Sequence, residues 1–164
     1  MIVFVYSNTL GLISNPHTDL EDKKYNPDAE NCQRWFANLL RRSVRFVTSD
    51  ICDYEIRRGL ISSIKSGKDA PGLELLNFLK RNGDLEFLSV TSVALELAAD
   101  LWAEASSLGR QTSDTKNIDA DMIISAQYQI LRDDYPGQRV IVATTNLKHL
   151  SIFCEAAHWR DVKL

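Results

Sequence analysis

The sequence predicts an α/β fold built on a central, mostly parallel sheet of four to five strands. Three observations carry this. β-branched and aromatic runs recur at residues 2–5, 44–47, 85–90 and 140–143, each is followed by a stretch of helical period, and small polar or acidic residues gather where run meets helix. That alternation is the pattern of parallel strands with helical crossovers.

The first run, Ile2 to Val5, is wholly apolar, as a strand covered on both faces requires, and it stops at Tyr6-Ser7-Asn8-Thr9 before Leu10-Gly11-Leu12-Ile13 opens a helix. In residues 28–42, Trp35/Phe36 and Leu39/Leu40 recur four apart, with Arg41 and Arg42 at the end suited to the helix dipole. Thr48, Ser49 and Asp50 offer caps for a helix carrying Ile51, Tyr54, Leu60, Ile61 and Ile64. Pro71 opens a short helix through Leu73, Leu76 and Leu79 that stops near Asn82-Gly83. Another starts near Thr91-Ser92, shows Val93, Leu97, Leu101, Trp102 and Leu108, and ends on Gly109. Residues 119–135 place Met122, Ile123, Ala126 and Ile130 on one face before Pro136-Gly137 breaks the chain. A helix over 147–156 and a short edge strand over 159–162 complete the pattern. The polar stretches 15–31 and 110–117 read as long loops, a class that is often functional.

A chain of 164 residues is the size of one domain with one core, so residues 1–164 are read as a single unit. No apolar stretch is long enough to span a bilayer or act as a secretion signal, and the expected location is the cytoplasm, with no membrane partner. Cys32, Cys52 and Cys154 are widely spaced, without a CxxC pair or zinc-type cluster, and read as buried reduced thiols. The net charge of −3 means that any affinity for nucleic acid depends on a local basic surface. There is no Gly-rich phosphate loop and no GxSxG elbow, which argues against nucleotide-dependent kinases and α/β hydrolases.

In an open parallel sheet the strand C-termini share one edge, where ligands bind. On that edge the sequence sets Tyr6-Ser7-Asn8-Thr9, Asp50/Glu55, Asp119/Asp121 and Thr144-Thr145-Asn146. Carboxylates converging from separate segments repel one another unless cations sit between them, and Mg²⁺ or Mn²⁺ accepts such oxygen ligands together with water. Such a cation activates water and stabilises a phosphodiester transition state. Each residue also has a plainer role: Asp119 or Asp121 as a helix cap, Glu55 as an i,i+3 partner of Arg58, Asn146 as a cap for the last helix.

Four of these segments resemble the PIN domain, and specifically the VapC-type toxin ribonucleases of bacterial toxin–antitoxin pairs. Val5-Tyr6-Ser7-Asn8-Thr9-Leu10 is similar to their apolar-Asp-Ser/Thr-Asn-apolar-Leu, and Tyr54-Glu55-Ile56-Arg57-Arg58-Gly59 to their Tyr-Glu-apolar-Arg-Arg-Gly. Asp121-Met122-Ile123-Ile124-Ser125-Ala126 and Thr144-Thr145-Asn146-Leu147-Lys148-His149-Leu150 match the third and fourth motifs, so the resemblance covers nearly the whole chain. It implies a three-layer α/β/α PIN-like fold with strand order 3-2-1-4-5 and an Mg²⁺- or Mn²⁺-dependent endoribonuclease that leaves a 3′-hydroxyl and a 5′-phosphate. By the same resemblance Glu55 and Asp121 are metal ligands with Asp119 as helper, Asn146 is a neutral ligand or water-positioner, and Ser7 and Asn8 orient ligands and backbone.

The family's first acid falls on Tyr6, whose phenol stays protonated near neutral pH and replaces a carboxylate poorly. Three accounts stand at this level: a weakened or inactive member, compensation by Asp119 or another nearby acid, or a substitution introduced at Tyr6. The alternative function is a catalytically impaired PIN-like module that binds RNA or protein. A receiver-type phosphoacceptor ranks below both, because paired acids after the first strand and a lysine near the last are missing.

The resemblance also implies an RNA substrate, a cognate antitoxin seated in an apolar groove of the early helices, and a homodimer. Arg57, Arg58, Arg110, Lys116 and Lys148 are candidate phosphate contacts, with solvated surface charge as the plainer reading, and His149 is a candidate RNA contact. Trp35, Phe36, Ile61 and Ile64 are candidates for the groove, although an apolar stripe at helical spacing is core first. Trp102 is expected in core packing or a dimer contact.

Overall fold

The computed structural model describes residues 1–109 and 119–164, and of His149 it describes the backbone only. Strand β1 (Ile2–Val5) lies at the centre, with every residue at 0 % exposure. It pairs in parallel with β2 (Arg45–Ser49) on one side and β4 (Val140–Thr144) on the other. The short strand β3 (Glu86–Leu88) joins β2, and β5 (Ala156–His158) joins β4, giving a five-stranded parallel sheet of order β3-β2-β1-β4-β5. That is the predicted order. The continuous apolar run of β1 follows from its place, since helices flank the sheet and leave no wet side for a polar alternation.

Helices α1 (Ser7–Ile13), α2 (Pro27–Leu40), α3 (Asp50–Lys65) and α4 (Gly72–Asn82) pack in series, α2 on α1, α1 on α3 and α3 on α4. Helix α5 (Ser92–Ser107) packs on α6 (Ala120–Asp134), and α7 (Leu147–Leu150) is one short turn after β4. The caps explain the boundaries. Asn26 accepts hydrogen bonds from the backbone N–H groups of Asp28 (3.0 Å) and Ala29 (3.2 Å), with Pro27 in the first turn. Ser49 and Thr91 do the same for α3 and α5, accepting from Ile51 at 3.1 Å and Ala94 at 3.2 Å. Gly83 ends α4 at φ +82°, in the left-handed region that favours glycine.

Two expectations at the C-terminal end are corrected. The helix expected over 147–156 closes at Leu150, and residues 159–161 form a 3₁₀ turn where an edge strand was expected. Trp159 explains the second difference. It is buried against Trp35, whose indole N–H donates to the Val162 carbonyl at 3.0 Å, so the chain turns into the core and Ala156–His158 takes the pairing with β4. Strand β2 also runs to Ser49, because Thr48 is buried and its hydroxyl donates to the Val5 carbonyl at 2.7 Å.

Among the described residues the expected single core is divided into two clusters. The larger surrounds the sheet; in the smaller, Ala98, Leu101 and Ala105 of α5 meet Met122, Ile123 and Ala126 of α6. Phe153 packs against both, and Trp102 lies half-buried on the smaller. On α2, Phe36 is buried and Trp35 half-buried, whereas Tyr54, Ile61 and Ile64 of α3 face outward. Cys32, Cys52 and Cys154 are buried free thiols, as the spacing suggested. Among the described residues no helix is long and apolar enough to cross a membrane.

Candidate functional site

The site begins where β1 hands over to α1. Tyr6 occupies the N-cap position of α1 with extended backbone, its N–H donating to the Ala143 carbonyl at 3.1 Å and its carbonyl accepting from Leu10 N–H at 2.8 Å. Sheet and helix thus fix the backbone of Tyr6 from both sides. From that anchor the Tyr6 hydroxyl donates to Asp121 Oδ1 at 2.7 Å, a bond spanning 115 positions of chain. The next residue, Ser7, donates its hydroxyl to Glu55 Oε2. Adjacent side chains therefore bring together a carboxylate from α3 and one from α6.

Packing explains why Glu55 reaches Ser7. Gly11 lies one turn beyond Ser7, and a Cβ on it would come within 3.2 Å of the Cδ1 of Ile56, the residue after Glu55. A bare glycine lets α1 approach α3 closely. At α6, Asp119 is the N-cap: its Oδ1 accepts from the N–H groups of Asp121 (3.1 Å) and Met122 (3.3 Å). The plainer reading of Asp119 is thus what its Oδ1 does, and that cap sets the helix start from which Asp121 reaches Tyr6.

Asn8 fastens the fourth segment. Its Nδ2 donates to Thr144 Oγ1 at 3.2 Å, and its Oδ1 accepts from the Thr145 N–H at 3.1 Å. Thr144 Oγ1 in turn accepts from the Asn146 N–H at 3.0 Å, which shapes the turn into α7 and leaves the Asn146 side chain on the exposed rim. All four expected segments meet at one sheet edge. Tyr6, Glu55, Asp121 and Asn8 are each partly buried, and Ser7 is buried.

The electrostatics follow from that crowding. Burial and the nearby Asp121 and Glu55 carboxylates push the Tyr6 phenol far above its ordinary value, so it is a neutral donor at any physiological pH. Nearby, burial pushes the Cys52 thiol up to about 11, with the polar groups of Ser7, the Ser49 backbone and Thr48 offsetting part of the rise. Cys52 is therefore a neutral neighbour of the site.

Among the described residues no group of three or more His, Cys, Asp or Glu gathers as a metal cage. The donor set at the end of β1 is two carboxylates accompanied by hydroxyls and an amide, all hard oxygen chemistry of the kind Mg²⁺ takes with water completing its shell. Glu55 and Asp121 could hold such a cation between them.

The candidate basic residues separate. Arg57 is spent on structure, its Nη2 on Asp53 Oδ1 at 2.8 Å and its Nη1 on Asn77 Oδ1 at 2.8 Å. Arg58 lies over the exposed Tyr54 ring, 5.4 Å from its centroid, and Lys148 is exposed beside Asn146. Arg110 and Lys116 lie outside the described residues, as does the His149 side chain.

The early helices do form a groove, but along residues that the sequence did not single out for it. A groove of about 410 Å³ starts at Glu55 and runs along Gly11, Ile56, Gly59 and Leu60 to Pro71 and Gly72. The signal that could have found it is the glycine inside α3, Gly59, where a Cβ would meet open space. Of the groove candidates named above, none lines it: Trp35 and Phe36 pack in the core, and Ile64 borders an adjoining hollow that meets the groove at Asp69 and Pro71.

No protein-family model and no curated protein matches the sequence. Solved structures do. A chain of VapBC-1 from nontypeable Haemophilus influenzae superposes with a TM-score of 0.64 at 14% identity, covering 98% of this chain and 100% of that one. A chain of VapBC2 from Rickettsia felis, solved with a DNA fragment from their promoter, gives 0.63 at 18% identity over 97% and 99%. At those identities the likeness is one of fold, and it extends along the whole chain.

Proposed function

We propose that this protein is a toxin-type nuclease of PIN-like fold, a Mg²⁺-dependent endoribonuclease restrained by an antitoxin. The observation that carries the reading is the meeting of Glu55 and Asp121 on the adjacent hydroxyls of Ser7 and Tyr6. A fold shared end to end with chains of two VapBC structures supports it.

Glu55 and Asp121 would hold the cation, with Asp119 assisting through the surrounding water and Asn146 placing a water at the rim. When bound, the cation supplies a water activated for attack and positive charge facing the phosphate. The chain's own part is alignment. Ser7 fixes the Glu55 carboxylate, Tyr6 holds that of Asp121 while the site is metal-free, and Asn8 ties the turn after β4 to α1 so that Asn146 and Lys148 keep station at the mouth. Arg58 and Lys148 would meet RNA phosphates, whose approach to two carboxylates needs cations nearby. The groove that opens at Glu55 is the proposed seat for an antitoxin segment, with a basic side chain directed at the carboxylates.

The test is cleavage of RNA with Mg²⁺ or Mn²⁺ by this chain, by Glu55→Gln and by Asp121→Asn. The parent should cut, and each variant should lose at least about 100-fold in rate, beyond what removing an outer partner of a metal ligand typically costs. One observation favours a second reading. The Tyr6–Asp121 bond puts a neutral phenol where a third acid would strengthen the site, which suits a catalytically impaired module that binds RNA or protein. Tight RNA binding without cleavage in any metal would establish that reading instead.

A further inference from the structure

We infer that the Tyr6 hydroxyl competes with a divalent cation for Asp121, so that this site takes up metal less readily while that hydrogen bond stands. The inference rests on the metal-dependent reading above and concerns a residue specific to this chain's site. A hydroxyl that donates at 2.7 Å occupies one acceptor site of the carboxylate and offsets part of the negative charge that a cation would otherwise meet there.

The competitor is also held in place. The Tyr6 backbone is tied to Ala143 on one side and to Leu10 on the other, and the ring packs half-buried against the core, so the hydroxyl cannot drift off with a flexible side chain. Its neighbour Ser7 turns Glu55 toward the same point, so each of the two carboxylates enters the metal-free site already bonded to a protein hydroxyl. An aspartate at the Tyr6 position would add a charge, whereas a phenylalanine would remove only the hydroxyl that donates to Asp121.

The experiment is titration with Mn²⁺ alone, free ion being followed by its electron paramagnetic resonance signal, on the parent chain, Tyr6→Phe and Tyr6→Asp without RNA. Circular dichroism and melting temperature establish that each is folded. Tyr6→Phe should bind Mn²⁺ on the order of tenfold more tightly than the parent, the change that one hydrogen bond to a charged group represents. Tyr6→Asp should bind more tightly still, and adding Glu55→Gln to Tyr6→Phe should abolish the gain. If Tyr6→Asp binds but folded Tyr6→Phe binds no better than the parent, the competition is disproved while the metal reading survives. If no folded form binds Mn²⁺, Tyr6→Asp included, the metal reading fails and this inference with it.

Discussion

Asp53 shows what the acids of this chain do away from the sheet edge. It is buried at 7 % exposure, two residues before Glu55, and is held by Arg57 at 2.8 Å and by Lys80 at 3.3 Å. Arg57 also reaches Asn77, so one guanidinium closes α3 on α4. Arg57→Ala should destabilise the fold by about 2 kcal/mol, because Asp53 stays buried with only the longer Lys80 contact. Urea unfolding checks this, and an unchanged midpoint would mean that Asp53 is rehydrated without cost. In the sequence Arg57 reads as a surface charge first and a candidate phosphate contact second, since Asn77 lies twenty positions away and only folding brings it near. Tyr6 and Ser7 are the contrasting case: their polarity at the end of an apolar run was legible, but the choice of Asp121 for one and Glu55 for the other was not.

At the scale of elements, the approach of α1 to α3 sets the site. Gly11 permits it, with Ile56 3.2 Å from where a Cβ would stand. Gly11→Ala meets only the tip of a flexible side chain and should be tolerated. Gly11→Val should cost about 1–3 kcal/mol by overpacking and should also weaken the Ser7–Glu55 contact one turn away. Melting curves with cleavage rates separate these outcomes, and a Val variant as stable and active as the parent would show that α1 can retreat without moving the site.

Elements with strong local signals were readable in order and type: the apolar β1, the four-apart apolar pairs of α2, the Gly83 stop of α4. The C-terminal segment was misread because Trp159 is committed to a partner, Trp35, far away along the chain. The outward turn of Tyr54, Ile61 and Ile64 was hidden because a helical stripe does not say whether anything covers it.

Over the whole molecule, three buried thiols give stability a pH dependence. Burial raises Cys52 from 9.0 to about 11 and Cys32 and Cys154 to about 12. A group whose folded value is raised contributes stability fully below its unfolded value and loses it as pH climbs toward the folded one. Melting temperature should therefore hold up to about pH 9 and fall steadily above it. Cys52→Ala should flatten that fall, and a profile unchanged by the substitution would mean that the thiols are not what titrates.

The parallel order of the strands gathers four junctions at one edge, and there the account makes its central claim, that Glu55 and Asp121 serve one centre. A double-substitution cycle on RNA cleavage tests it most directly, comparing the parent, Glu55→Gln, Asp121→Asn and the two combined. Residues acting as a unit are strongly non-additive. The account predicts that the combined variant is about as slow as the slower single one. A combined loss equal to the product of the two single losses would contradict it, as would a parent chain that cuts no RNA in either metal.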